Sequence, residues 1–330
     1  MDFKKAIQYI VSLGLAALLL WYVFKDIDLA AMWQQFKQAD YQWVWLAGLS
    51  TVIAGWSRAY RWSMMLEPLG YKPSIFRMTL AVFVGYFANI FIPRAGEVAR
   101  CGTLQRTDGV PLDKSFGTVV AERIIDVLSL LVLILINFVL EFNRLKDLFS
   151  DLFTDKLKDP SKLIILGLGG VFALIIAIYL FRKNREKIAQ LPLYQKISGF
   201  VIGLWSGFTS IRKLRNPMVF VFHTVLIWSM YYLGSYLLFF CFPETSHLSP
   251  LAGLTVLVAG AMGMAAPTQG GVGAYHILVG NIVVLYGISQ ESGIILATFL
   301  HACQNYLFVP ILGVISLILL LFVPKPNKTT

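Results

Sequence analysis

The stretch NIFIPRAGEVARCG, Asn89 to Gly102, sets a proline, a glycine, two arginines and a glutamate at the end of an apolar run. An ionisable side chain within a bilayer costs about 2.5–3.5 kcal/mol on insertion scales, so each needs a partner or water. If the piece after Gly96 is helical, Glu97 stands three residues from both Arg94 and Arg100, close enough to pair with either. The residual charge is positive. Guanidinium forks bind phosphate oxygens two at a time, and a helix beginning near Gly96 would aim free N–H groups at the same anion. The competing reading is that both arginines reach back to headgroups and merely terminate the segment.

Two further stretches carry polar groups where the surroundings are apolar. In VVAERIIDVLSLL, Glu122, Arg123 and Asp126 fall within two helical turns, and all three can face inward. They serve either as an internal salt bridge or as carboxylates that carry protons or meet a headgroup. In APTQGGVGAYH, Pro267 breaks the chain, and Gly270, Gly271 and Gly273 permit positive φ and close backbone approach. Their N–H groups could form an anion nest, although a tight turn explains them equally well. Tyr275 and His276 follow, and His276 reads as a satisfied buried histidine or a titrating group. Gln304 and Asn305, polar within the last span, line the same cavity or bridge helices. His223 and His301 also lie in spans and have no visible acidic or cysteine partner. No metal site, cofactor motif or assembled nucleophile and base is legible, and Cys101, Cys241 and Cys303 read as small buried hydrophobes.

The elements that hold these residues must lie in a membrane. The 330 residues are 57% hydrophobic and 14% charged, whereas soluble domains carry about 25% charged residues. The net charge of +10 sits in short segments beside apolar spans, which suits lipid headgroups and the positive-inside bias rather than nucleic acid. Six segments are long enough to cross: roughly 6–24, 42–64, 116–140, 163–181, 218–240 and 291–322. Two others, 74–92 and 251–266, are shorter and run through a Pro–Gly break into the more polar pieces 97–108 and 273–288. Helix, break, helix at less than full depth reads as a re-entrant hairpin. The expected fold is an all-α polytopic membrane protein with about six full transmembrane helices and two re-entrant hairpins, one membrane domain over 1–330.

Charge predicts the orientation. Lys4 and Lys5 precede the first span, and Arg58, Arg61, Lys72 and Arg77 follow the second. The segment 182–215 is strongly basic, Lys325 and Lys328 follow the last span, and no Lys or Arg lies between Asn216 and Pro324. Both termini are therefore expected in the cytoplasm, with the loop 25–41 outside. PRAGEVAR from Pro93 and PTQGGVGA from Pro267 share Pro, Gly and Val at identical spacing, and the same displacement carries spans 42–64 and 116–140 onto later spans. With an odd number of crossings in each half, this predicts an inverted repeat of about 1–140 and 163–324, as in many transporters. Residues 193–211 suit a helix lying in the interface, and Asp147, Asp151 and Asp155 a solvated acidic face.

NIFIPRAGEVAR, VVAERIIDVL and PTQGGVGAYH together resemble the membrane region of the lysylphosphatidylglycerol synthases, a flippase-like family of bacterial and archaeal membrane proteins, over essentially the whole chain. The resemblance implies two hairpins around a lipid-sized cavity and movement of a polar-headed lipid between leaflets. By that resemblance the path would be lined or shaped by Pro93, Arg94, Gly96, Glu97, Arg100, Glu122, Arg123, Asp126, Pro267, Gly270, Gly271 and Gly273, and Asn89, just ahead of the first break, is counted with them as a candidate. It also implies residence in a bacterial or archaeal cell membrane, with anionic or phosphate-bearing lipids as partners. The chain ends at FVPKPNKTT without a transferase domain, so lysyl transfer is not expected to carry over. Gln269 stands where many relatives would carry proline, and Tyr275–His276 where others are acidic. A translocase without cofactor is thus the leading expectation. A membrane subunit or enzyme of lipid-headgroup modification is the alternative, with a separately encoded lipid-modifying enzyme as a second partner and self-association left open.

Overall fold

The computed structural model describes residues 3–92, 95–142, 144, 195 and 214–323. The expected span 163–181, nearly all of the interfacial helix 193–211, the acidic face at Asp147 to Asp155, the lysines at 325 and 328, and Pro93 and Arg94 lie outside the described residues. Within them the chain is all-helical, with no strand.

α1 spans Phe3–Phe24. The loop expected at 25–41 instead holds a helix, α2, Leu29–Gln38, started by Asp28, whose carboxylate accepts from the N–H groups of Ala30 and Ala31. Its balanced charge concealed an N-cap followed by good helix formers. α3, Tyr41–Leu66, is capped in the same way by Asp40. α4, Ile75–Phe91, and α5, Ala95–Asp108, flank the first break, and α6 runs Leu112–Leu140. In the second half α7 is Pro217–Leu237, and α8, Pro250–Ala265, and α9, Ala274–Val284, flank the second break. α10, Gln290–Leu321, is one long helix with a π-helical stretch at Ala302–Phe308. That widened stretch lies directly ahead of Pro310, whose missing N–H and ring disturb the preceding turn.

Among the described residues, Leu112–Leu140, Pro217–Cys241 and Gln290–Leu321 are long and apolar enough to cross a membrane. α3 has the length, 26 residues, but carries Ser57, Arg58, Arg61 and Ser63 in its second half. The 17 and 14 residues of α4 and α5 rise only about 26 and 21 Å, and the 16 and 11 of α8 and α9 about 24 and 17 Å, at 1.5 Å per residue.

Packing follows a parallel scheme in the two halves. α3 and α7 lie against each other at the centre; α4 packs on α3 and on α10, and α8 on α7 and on α6. α5 folds back on α4 and leads into α6, as α9 folds back on α8 and leads into α10. The first pair closes where Gly85 faces Gly96: a Cβ on Gly85 would lie 2.8 Å from the Gly96 carbonyl oxygen. Asn89 Oδ1 fastens the same place by accepting from Gly96 N–H at 2.7 Å. At the other end Arg77 Nη1 donates to Thr107 O at 3.1 Å and meets Asp108 at 3.2 Å. In the second pair Thr255 Oγ1 and Tyr286 OH are 2.7 Å apart. The three cysteines are free and buried, as their apolar contexts predict.

Candidate functional site

The polar centre of the molecule is assembled by three helices, and two of its members come from an element that the charge pattern had assigned to orientation alone. Arg58 and Arg61 stand three residues apart on one face of α3 and are buried at 4% and 0% exposure. Both lie within α3 rather than beyond its end. Arg100 of α5 is also buried, its guanidinium 4.8 Å over the Trp62 ring, and Trp62 in turn is fixed by donating to Thr118 Oγ1 at 2.8 Å. All three arginines converge on Glu122 of α6, which is wholly buried. Arg58 Nε lies 3.0 Å and Arg61 Nη2 3.2 Å from Glu122 Oε1, while Arg100 Nη2 lies 2.8 Å from Oε2.

One turn further along α6, Asp126 also meets both α3 arginines. Arg61 Nη2 is 2.6 Å from its Oδ1, and Arg58 Nη2 bonds Oδ2. Arg123 faces outward, its side chain 43% exposed, and holds Glu97 Oε1 at 2.9 Å with a looser 3.8 Å approach to Asp126. The expected pairing of Glu97 with Arg100 is therefore replaced. Glu97 reaches across to α6, and so does Arg100, because the two helices lie side by side and the cross-helix partners are nearer than those along α5. Nor do Glu122, Arg123 and Asp126 all face inward; the polarity grades from a dry carboxylate to a half-open rim.

A buried charge is tolerated only with partners, and here four guanidiniums meet three carboxylates among the described residues. The Nε atoms of Arg58, Arg61 and Arg100, and Arg100 Nη2, are buried without a well-directed hydrogen bond, as are Glu97 Oε2 and Glu122 Oε2. The ions are close but their N–H directions are not all spent. Arg61 Nη1 also donates to Thr224 Oγ1 of α7 at 3.3 Å, and Arg58 and Arg61 lie 5.9 and 5.8 Å over the rings of Tyr86 and Phe220. Beside them Ser57 Oγ lies 2.9 Å from His223 Nδ1, with the imidazole stacked on Tyr60. The partner of His223 is thus a hydroxyl rather than a carboxylate or a thiol.

The free helix start expected after the first break is partly spent. Ala95 N–H donates to Ile92 O at 3.1 Å and Gly96 N–H to Asn89. Asn89 and Gly96 therefore tie α4 to α5.

The second break is a separate knot. Gly270, Gly271 and Gly273 all have positive φ, as expected. The anion nest is not available, because Gly271, Val272 and Gly273 already donate to Thr268 O, Gln269 O and His276 Nδ1. His301 Nε2 lies 2.9 Å from Gly270 O and stacks on Tyr275, with His276 against its edge and Phe24 of α1 beyond. Pro267 is exposed, and Tyr275 and His276 are buried. Gln269 links the two breaks by donating from Nε2 to Ile90 O and Phe91 O. Gln304, in the π-helical stretch, donates to Ser235 Oγ of α7 at 3.0 Å and so bridges helices; Asn305 is half-buried. The structure brings Glu97, Arg100, Glu122, Arg123 and Asp126 into one cluster, while the second-break residues and Gln304 make their contacts elsewhere. Among the described residues no group of three His, Cys, Asp or Glu is placed to hold a metal ion.

Comparison with known proteins places this architecture. The chain is 22% identical over 323 residues to the UPF0104 membrane protein PH1989 of Pyrococcus horikoshii, covering 88% of this chain and 90% of the relative. It is 30% identical over 88 residues, 26% of each chain, to the UPF0104 membrane protein MJ1595 of Methanocaldococcus jannaschii. A 127-residue match at 25% identity, 38% of this chain and 20% of the relative, joins it to the glycosyltransferase AglD of Haloferax volcanii. No solved structure matches the chain. The model of the lysylphosphatidylglycerol synthase transmembrane region matches residues 9–313 and takes in both broken helix pairs, so this integral membrane protein belongs to that family.

Proposed function

We propose that this chain moves a phosphate-headed lipid between the leaflets of a cell membrane. The observation that carries the reading is the convergence of Arg58, Arg61 and Arg100 on the single carboxylate of Glu122 inside the helix bundle. A carboxylate and a phosphate offer guanidinium the same pair of oxygens. Glu122 thus acts as the resident anion of an arginine cage, and an arriving headgroup competes with it for N–H groups that are not fully spent. Glu97 and Asp126, on the wetter rim, exchange partners or protons as the headgroup enters. Transport in this reading is passive or ion-driven.

The short arms of α4–α5 and α8–α9 fit two re-entrant hairpins, the first open to the cytoplasm and the second to the outside, with both termini cytoplasmic. The matched contacts of α4 on α10 and of α8 on α6 are what an inverted repeat of about 1–140 and 163–324 would produce. Rocking of the halves would expose the arginines to each leaflet in turn while the tails stay in lipid.

The test is headgroup accessibility in liposomes containing the purified protein. Arg61→Ala and Arg100→Ala should each slow translocation about tenfold or more, as expected from losing a charged contact of about 1.5–3 kcal/mol. Wild-type rates in both folded variants would overturn the arginine mechanism. The partial match to a protein named as a glycosyltransferase supports a second reading, a membrane subunit of headgroup modification. Turnover of a radiolabelled lipid by the purified chain would favour it.

A further inference from the structure

α5 and α6 are the two arms of a helical hairpin. Its apex is the loop Gly109–Pro111, where Gly109 takes a positive φ of 70° and Val110 is buried. Glu97 stands twelve residues before Gly109 and Arg123 twelve residues after Pro111. Each therefore lies about 18 Å along its own arm. Near the apex the seam between the arms is apolar, with Cys101 and Leu104 of α5 in one buried cluster with Val119 of α6. Toward the mouth it becomes ionic, and side-chain exposure rises from 4% at Arg100 to 20% at Glu97 and 43% at Arg123.

The ionic half of the seam is poorly bonded. Arg100 Nη2 lies 2.8 Å from Glu122 Oε2, yet neither atom has a well-directed hydrogen bond, and Arg100 Nε and Glu97 Oε2 are buried and unspent as well. Among the described residues, the one well-directed hydrogen bond between charged groups of the two arms runs from Arg123 Nη2 to Glu97 Oε1 at 2.9 Å. It sits at the mouth, where water competes for both partners and an ion pair holds weakly. The outer sides of the arms are better fastened. Gly96 N–H on Asn89 ties α5 to α4, and Trp62 Nε1 on Thr118 Oγ1 ties α6 to α3. The α5–α6 seam is therefore the contact that gives first, and the unspent groups along it gain water when it does.

We propose, resting on the lipid-translocase reading, that the α5–α6 seam is a gate hinged at Gly109–Pro111 and latched by the Glu97–Arg123 pair. Parting of the arms takes Arg100 away from Glu122, which keeps Arg58 and Arg61. One guanidinium is uncovered at the mouth while the other two stay neutralised. The conformation seen, with all three arginines buried, is the closed one.

Cys101 is a native reporter of the opening, because it lies under the seam, whereas Cys241 and Cys303 belong to a separate buried cluster. The experiment measures the rate at which N-ethylmaleimide alkylates each cysteine of the full chain in liposomes, read by mass spectrometry. Glu97→Gln and Arg123→Gln should each speed labelling of Cys101 about fivefold, equivalent to the roughly 1 kcal/mol of a half-exposed ion pair, and leave Cys241 and Cys303 unchanged. Arg123→Lys, which keeps the charge, should stay within about twofold of the wild type. Labelling of Cys101 that ignores the latch variants, or that rises in step at all three cysteines, would overturn the gate. A second arm joins Glu97→Cys to Arg123→Cys with a bis-methanethiosulfonate spacer. The cross-link should stop headgroup transport, and reduction should restore it. Transport undiminished by the cross-link would overturn the gate and leave the translocase reading standing. A selective response of Cys101 in a protein whose wild type moves no lipid would uphold the opening seam and overturn the translocase reading.

Discussion

The side-chain amide of Gln269 donates to the carbonyl oxygens of Ile90, at 2.9 Å, and Phe91, at 3.0 Å, so the turn between α8 and α9 grips the last turn of α4. The final carbonyls of a helix have no partner within it, and here a residue more than half the chain away supplies one. Gln269→Leu removes both donors and should cost about 1–3 kcal/mol. Hydrogen exchange should rise at residues 89–92 and 269–273 together. Exchange unchanged at either segment would show that the two breaks are held together by something else.

The cluster predicts unequal costs for two similar substitutions. Glu122→Gln leaves three buried guanidiniums short of a counter-charge and should lower stability by about 3–5 kcal/mol. Glu97→Gln touches only the half-open pair with Arg123 and should cost about 0–1 kcal/mol. Denaturant unfolding in mixed micelles measures both, and equal losses would contradict the gradient of burial across α6.

Neighbouring glycines of the second break should also part ways. Gly270 has φ 58 and ψ 24, left-handed values that asparagine adopts, and a Cβ there would meet only Tyr306 OH at 3.2 Å. Gly270→Asn should stay within about 0.5 kcal/mol of the wild type. At Gly271, with φ +73, a Cβ would lie 2.9 Å from Met264 Cα and 3.2 Å from Gly263 O. Gly271→Ala should therefore cost about 1–3 kcal/mol. Thermal unfolding of the two variants decides the matter.

Helix ends were legible where the chain declares them. Pro and Gly bracketed both breaks, and the structure starts or stops helices within a few residues of 74–92, 97–108 and 251–266. Glu122 and Asp126 were legible too, as carboxylates in an apolar run. Arg58 and Arg61 were not, because near the end of a hydrophobic segment a basic residue satisfies the positive-inside rule without further explanation. Their signal was present in WSRAYRW: two arginines on one helical face, interleaved with aromatic residues. The partner swap of Glu97 and Arg100, and the gripping of Ile90 by Gln269, depend on which helices lie side by side. Spacing along one helix cannot carry that information. The π-helical stretch at Ala302–Phe308 had a local hint in Pro310, but its bond to Ser235 needed α7.

The carboxylates that neutralise Arg58 and Arg61 emerge from the ribosome only after α4 and α5 have been made. At about 2.5–3.5 kcal/mol for each uncompensated arginine, α3 is a poor candidate to partition into lipid by itself. Stable insertion of α3 is therefore expected only once α6 has been made, which makes the order of synthesis, and not only the finished contacts, a condition for reaching the native bundle.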